Sequence, residues 1–438
     1  MVTRRVSARL VTVVVVFFVC AELMALMTHY VETGSLFYTH DKAYQEPLLA
    51  PENRRLVREA LHPYFGPTHT PGTAFDIPAS WVANSSLPSS LETNNFGFVS
   101  PYSYPFEKAS SNQFVIGIFG GSVGLWFCQA GTARLLEGLT QHPFFQSRQV
   151  IPLCFSHEGY KQPQEALVLA FFLSIGQQFD LVVNIDGFND VVFADLNNQR
   201  GLDISMPSVQ HLDPLINLVN QSTLTPEKLE SLATIVRYRQ QLTDLVGRIR
   251  TNRIASINFV LDRFYKRRFS DYVRERGRFN NLPSAPSDSS LIFVTPAVKA
   301  REAETLFADI AEQWARSALL MRDLMAARGA AYLHFLQPNQ YYTTRRFGDA
   351  EAAVALNEES PYKRSVELGY PALMAAAQSR LLNADVRYFE AEQAFAREPA
   401  SVYMDDCCHY TLVGNRVLAD FIAASILGAP GPWRDRAN

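Results

Sequence analysis

The chain has 438 residues, of which 47% are hydrophobic and 19% charged, and its formal net charge is -3. That length and apolar content support one large core, or one domain with additions. No basic excess points to nucleic acid as a partner, and ordinary glycine and proline use excludes a collagenous or broadly disordered chain.

Arg4, Arg5 and Arg9 precede an apolar run from Leu10 to Ala21, which Glu22 interrupts and Leu23 to Met27 resume. No lysine or arginine follows until Lys42. This asymmetry predicts a cytoplasmic N-terminus and an exported remainder. Residues 1–28 read as a cytoplasmic stub and transmembrane anchor, just long enough to span with Glu22 near the outer interface. Val19-Cys20-Ala21 also resembles a signal-peptidase site, but the apolar character outlasts it, which favours an uncleaved anchor. The expected location is the cytoplasmic membrane, single-pass, with the main domain on the periplasmic or extracellular side.

Residues 29–110, rich in Pro, Ser, Thr, Asn and Tyr, read as a stalk and lead-in that packs on a main domain at 111–428; 429–438 is a tail. Phe114 to Phe119, Gln149 to Phe155, Phe179 to Asp186, Ala331 to Leu336 and Asp385 to Phe389 read as strands. Helices are expected from Val123 to about Thr140, Pro163 to about Gln178, Lys299 to Arg328, Pro371 to Leu382 and Thr411 to Leu427. Apolar strands alternating with helices mean a parallel sheet covered on both faces. The alternation stops after Asp190 for roughly a hundred residues. Within that stretch Pro226–Arg250 and Asn252–Arg278 read as helices, so a helical insertion is placed at about 200–298. The fold class is α/β: a three-layer α/β/α arrangement on a five-stranded parallel sheet.

Ser122 follows the first of these strands and opens a helix. Ligands of open α/β sheets bind beyond the carboxyl ends of strands, where a helix start supplies backbone N–H groups and positive potential. Gly120 and Gly121 permit a tight turn there. Serine is also a favoured helix cap, so the residue alone leaves both roles open. His409, in Asp405-Asp406-Cys407-Cys408-His409, lies between the fifth strand and the terminal helix, at the same end of the sheet. A carboxylate shortly before it can orient the ring, leaving the other nitrogen to take a serine proton. Spacing does not choose between Asp405 and Asp406. Asn189, in Gly187-Phe188-Asn189-Asp190 after the third strand, could offer an amide N–H to an oxyanion or simply end the strand in a turn. Gly159, after the second strand, could offer a backbone N–H or be an ordinary loop glycine.

In chain order these pieces resemble the blocks of SGNH/GDSL hydrolases. Gly120-Gly121-Ser122-Val123 resembles the nucleophile block, with Gly121 replacing the usual Asp. Gly159 resembles the second-block glycine, Gly187-Phe188-Asn189-Asp190 the Gly-x-Asn-Asp block, and Asp406-Cys407-Cys408-His409 the Asp-x-x-His block. Asn94-Asn95-Phe96-Gly97-Phe98 looks like a lead-in of bacterial members. The resemblance covers roughly 90–195 and 330–428. It implies a flavodoxin-like fold and a triad of Ser122, His409 and Asp406. It implies an oxyanion hole of the Ser122 and Gly159 N–H groups with the Asn189 side chain, and no metal or organic cofactor.

The implied function is ester chemistry outside the membrane, on O-acyl groups of an envelope glycan. Acyl transfer, a lipid or lysophospholipid esterase, and a non-catalytic scaffold subunit of an envelope assembly are the alternatives. The segment Phe259–Arg278, crowded with Arg263, Lys266, Arg267, Arg268, Arg274, Arg276 and Arg278, reads as a surface for envelope partners or an anionic membrane, or as an ordinary solvated face. Cys128, Cys154, Cys407 and Cys408 would be exported. A disulfide from the His409 loop to Cys128 or Cys154 is expected to pin that loop, and a bond between the neighbours Cys407 and Cys408 would be strained.

Overall fold

The computed structural model of the chain describes residues 2–38, 59–211, 225–282 and 298–434. Contacts divide it into two compact units, Met1–Leu56 with Asn220–Phe293, and Val57–Val219 with Val294–Asn438.

In the first unit, α1 (Val2–Thr33) is apolar and long enough to cross a membrane over Thr12–Glu32, 21 residues with a mean hydropathy of 2.0. The unit's other helices are α8 (Pro226–Thr251) and α9 (Ala255–Asn281). Three residues join them, which makes a helical hairpin. It closes on Ile235, Leu242, Val246 and Ile249 of α8 against Tyr265 and Tyr272 of α9, residues spaced to share one helix face. Glu22 has a structural task here. Its carboxylate accepts from Ala255 N (2.6 Å), Ser256 N (2.9 Å) and Ser256 Oγ (2.7 Å). A side chain of α1 thus satisfies the unbonded N–H groups that open α9. Ala25, Phe37 and Ala255 pack beside this contact.

In the second unit, β1 (Glu59–His62) and β2 (Gly66–His69) form one antiparallel pair, and β3 (Ala74–Asp76) and β4 (Ser90–Glu92), flanking α2 (Ala79–Val82), form another. Phe75, Ile77, Trp81 and Val99 bury themselves against Leu125 and Cys154, so the described part of the lead-in is packed structure.

The expected five-stranded parallel sheet follows: β5 (Gln113–Gly120), β6 (Gln149–Cys154), β7 (Leu181–Asp186), β8 (Ala331–Leu336) and β9 (Arg387–Glu390), in the order β6-β5-β7-β8-β9. β7 and β8 are buried at every position, as continuous apolar runs require. β5 lies between β6 and β7, so the strand order reverses at β5. That is the switch point at which α/β sheets open a crevice, and Ser122 follows it.

The connecting helices are α3 (Ser122–Ala130), α4 (Thr132–Leu139), α5 (Pro143–Gln146), α6 (Gln164–Ser174), α7 (Phe188–Gln199), α10 (Ala303–Ala326), α11 (Asp349–Ala355), α12 (Lys363–Ala376) and α13 (Leu412–Gly428). α13 packs on α3 and α4, whereas α10 packs on α6, α7, α12 and β8. Two expectations need correction. The alternation does not stop at Asp190: α7 begins at Phe188, because the Asp190 carboxylate returns to Gly187 N (3.0 Å) and caps a helix start. The helix expected to begin at Pro371 begins at Lys363 and contains that proline. Burial of Val366, Gly369, Tyr370 and Leu373 outweighs the hydrogen bond Pro371 forfeits. The polar break read after Asn281 lies largely outside the described residues.

Candidate active site

Ser122 is the first residue of α3 and is buried. Its hydroxyl does not cap the helix; Ser122 Oγ lies 2.8 Å from His409 Nε2. The other ring nitrogen, Nδ1, lies 2.5 Å from Asp405 Oδ2. Asp405 Oδ1 also accepts the backbone N–H groups of Cys407 (3.0 Å), Cys408 (3.0 Å) and His409 (3.2 Å). Asp405 is therefore both the turn-forming residue of the loop and the carboxylate on the ring. Burial alone would raise its pKa, but the His409 and backbone hydrogen bonds hold it below the ordinary carboxylate value.

Asp406, the carboxylate expected in this role, faces elsewhere: its Oδ2 accepts from Asn357 Nδ2 (2.8 Å). The loop folds so that the residue four before His409, and not three before, reaches Nδ1.

The expected disulfide from this loop is also corrected. Cys128 pairs with Cys154, while Cys20, Cys407 and Cys408 are free. The loop is held instead by the residues after β8. Asn339 Nδ2 donates to Cys407 O (3.2 Å), Gln340 Nε2 to Asp405 O (3.1 Å) and Tyr341 Oη to Asp406 O (2.8 Å). Met404 N donates to His409 O (3.0 Å), closing the loop on itself. The Cys407 and Cys408 sulfurs lie 3.4 Å apart. Burial, then its Cys407 neighbour, push the Cys408 thiol well above its usual range.

Asn189 follows β7 and Gly159 follows β6, the two strands that flank β5. Asn189 is buried in the first turn of α7, and its Nδ2 donates to Tyr160 O (2.8 Å). A primary amide carries two N–H groups, so a second remains. The amide stands beside Gly121, where a Cβ would fall 2.0 Å from Asn189 Nδ2. The lack of a side chain at Gly121 is what lets Asn189 come this close to the turn before Ser122. Gly159 has a left-handed φ of +76°, a conformation other residues adopt at a cost. Its loop is tied to the turn before Ser122 by His157 N donating to Gly120 O (3.2 Å).

Beneath the site, Asp190 accepts from Gln162 N (2.7 Å) and Gly187 N (3.0 Å), joining the second-strand and third-strand loops. Burial and the neighbouring Asp186 charge push its carboxyl up to about 7.

Among the described residues, two groups of side chains have metal-ligating composition: Cys407, Cys408 and His409, and His69, His157 and Glu158. In the first, both His409 nitrogens already face Ser122 and Asp405. The second was not legible in the sequence, because His69 lies far from the other two along the chain. No family model matches this chain, and no curated protein matches it either.

Proposed function

We propose that this protein is a membrane-tethered serine esterase-type hydrolase with an SGNH-like fold. The carrying observation is the linear relay Ser122 Oγ–His409 Nε2 (2.8 Å) and His409 Nδ1–Asp405 Oδ2 (2.5 Å) at the switch point of a parallel sheet. In this reading, helices α3, α4 and α13 form one outer layer, α6, α7, α10 and α12 the other, and α8–α9 belong to a helical insertion. The recurrence of glycine, asparagine and histidine after β6, β7 and β9 supports the SGNH likeness.

In the proposed reaction His409 Nε2 takes the Ser122 hydroxyl proton as Oγ attacks an ester carbonyl. Asp405 keeps the proton of the neutral ring on Nδ1 and stabilises the imidazolium that forms. The Ser122 N–H, the Gly159 N–H and the remaining Asn189 amide N–H are assigned to the developing oxyanion. His409 then returns its proton to the departing alcohol. Water, or an acceptor hydroxyl in a transferase, repeats the sequence on the acyl-enzyme. The relay and donors suit any carboxyl ester. An exported domain on a membrane tether favours O-acyl groups of an envelope glycan as substrate.

The test is hydrolysis of acetyl and longer-chain aryl esters by the full chain in detergent, beside Ser122→Ala. Turnover by wild type and its loss in Ser122→Ala are expected. Equal inertness of both would remove the catalytic reading and leave a binding or scaffold role.

A further inference from the structure

His69 closes β2, and His157 and Glu158 follow β6. One ligand-capable atom from each of the three lies within 4.8 Å of the others. His69 Nε2 is 3.1 Å from Glu158 Oε2. The imidazole centroids are 4.2 Å apart. His69 is 3% exposed and His157 fully buried, while the Glu158 side chain is 28% exposed, so the cluster opens at its carboxylate.

At 3.1 Å the two atoms form an ion pair when His69 is protonated, but the contact lacks hydrogen-bond direction, and neither ring nitrogen of buried His69 meets a partner in hydrogen-bond geometry. A buried polar atom left in that state is costly. Two atoms that share a metal ion have this relation, each aimed at a common third point and not at the other. Zinc–ligand bonds of about 2.0–2.2 Å in a tetrahedron place neighbouring ligand atoms roughly 3.3 Å apart. His157 supplies an independent sign. Its Nδ1 lies 2.8 Å from Glu158 O. A carbonyl only accepts, so Nδ1 carries a proton, and in the neutral ring the lone pair is then on Nε2, the arrangement that orients metal-binding imidazoles. Two neutral imidazoles and one carboxylate leave a single negative charge, suited to a dication, and two nitrogens with one oxygen form a three-ligand zinc set with an open position. Ligation would draw the outermost pair together by up to about 1.5 Å.

We propose that His69, His157 and Glu158 bind a divalent transition metal, zinc by their donor chemistry, and that the ion clamps β2 to the loop carrying Gly159. The clamp continues contacts already present: Tyr160 Oη donates to Pro67 O (2.8 Å), and Tyr160 O receives the Asn189 amide (2.8 Å). Binding of the metal stands on its own geometry; its positioning of Gly159 for catalysis rests on the serine-esterase reading.

The test uses the full chain in detergent, stripped with EDTA, dialysed and loaded with zinc(II) or cobalt(II). One zinc retained per chain through gel filtration is expected, with the intense visible bands of four-coordinate cobalt(II). His69→Ala and Glu158→Gln should each weaken zinc binding at least about 100-fold, and Cys407→Ser/Cys408→Ser should leave it unchanged. Glu158→Gln preserves shape and keeps the test open if His69→Ala does not fold. No retained metal at on the order of 100 µM free zinc would overturn the site, zinc-finger-like affinities being far tighter. Uptake lost in the cysteine variant and kept in His69→Ala would overturn it too. Zinc should also restore fluorophosphonate labelling of Ser122 that is at least tenfold slower in stripped protein. Zinc binding with labelling unchanged would refute the positioning role alone, and zinc binding without any labelling would refute the serine reading while leaving the metal site intact.

Discussion

Replacing Asp405 by asparagine separates the two adjacent carboxylates. Asparagine can keep an oxygen facing the Cys407, Cys408 and His409 N–H groups, so the turn should survive. Its amide nitrogen then replaces Oδ2 opposite His409 Nδ1. Two N–H groups cannot face each other, so the ring must place its proton on Nε2, where it can no longer accept from Ser122. The imidazolium also loses its counter-charge. A loss of about 10³- to 10⁴-fold in kcat/KM is expected, about 4–5.5 kcal/mol of transition-state stabilisation, with the fold retained by circular dichroism. Asp406→Asn should stay within about threefold, since Asp406 Oδ2 meets only the amide of Asn357 at an exposed position and asparagine can still accept there. The assay is aryl-ester hydrolysis, with the second-order rate of fluorophosphonate labelling as a check independent of deacylation. Loss in Asp406→Asn with Asp405→Asn near wild type would refute the assignment.

Further predictions concern the surroundings of the relay. Gly121→Ala places a methyl group on the Asn189 amide; ester hydrolysis should fall about 10²-fold, as for loss of one oxyanion donor, with near-UV circular dichroism retained. Opening the Cys128–Cys154 bond, which spans 26 residues, with a double serine variant should cost about 3–4 kcal/mol in urea unfolding; alkylation of denatured, unreduced protein should label Cys20, Cys407 and Cys408 alone. The Asp405 carboxyl is held below its unfolded value, so its stabilisation is present above the unfolded pKa and lost as pH falls through the folded one. Wild type should therefore lose stability on acidification more steeply than Asp405→Asn, and parallel urea midpoints would contradict this. Glu22→Ala removes three hydrogen bonds from the start of α9. Amide exchange at Ala255 and Ser256 should accelerate in proportion to about 1–2 kcal/mol of lost capping.

The central strands β5, β7 and β8 were legible because each is a short apolar run buried almost throughout, and such runs mark themselves whatever surrounds them. Ser122 and His409 were legible because the end of a parallel strand is a topological property, readable once the alternation is seen. The choice of Asp405 over Asp406 was not, since it depends on how one loop wraps its N–H groups around a single oxygen. The cysteine pairing was hidden likewise: β5 and β6 are neighbours, which brings Cys154 to the helix leaving β5, and nothing in residue spacing says so. Gly187-Phe188-Asn189-Asp190 misled because Asn-Asp favours turns, and only the return of Asp190 to Gly187 N converts that turn into a helix start. Glu22 read as an interruption of an apolar run, its partners lying more than two hundred residues away.

The relay at Ser122 is tested most directly by treating the full chain with a fluorophosphonate and locating the adduct by peptide mass spectrometry. A single adduct on Ser122, absent in His409→Ala and strongly slowed in Asp405→Asn, is the predicted result. Failure to label wild-type protein, or labelling that persists unchanged in His409→Ala, would contradict it.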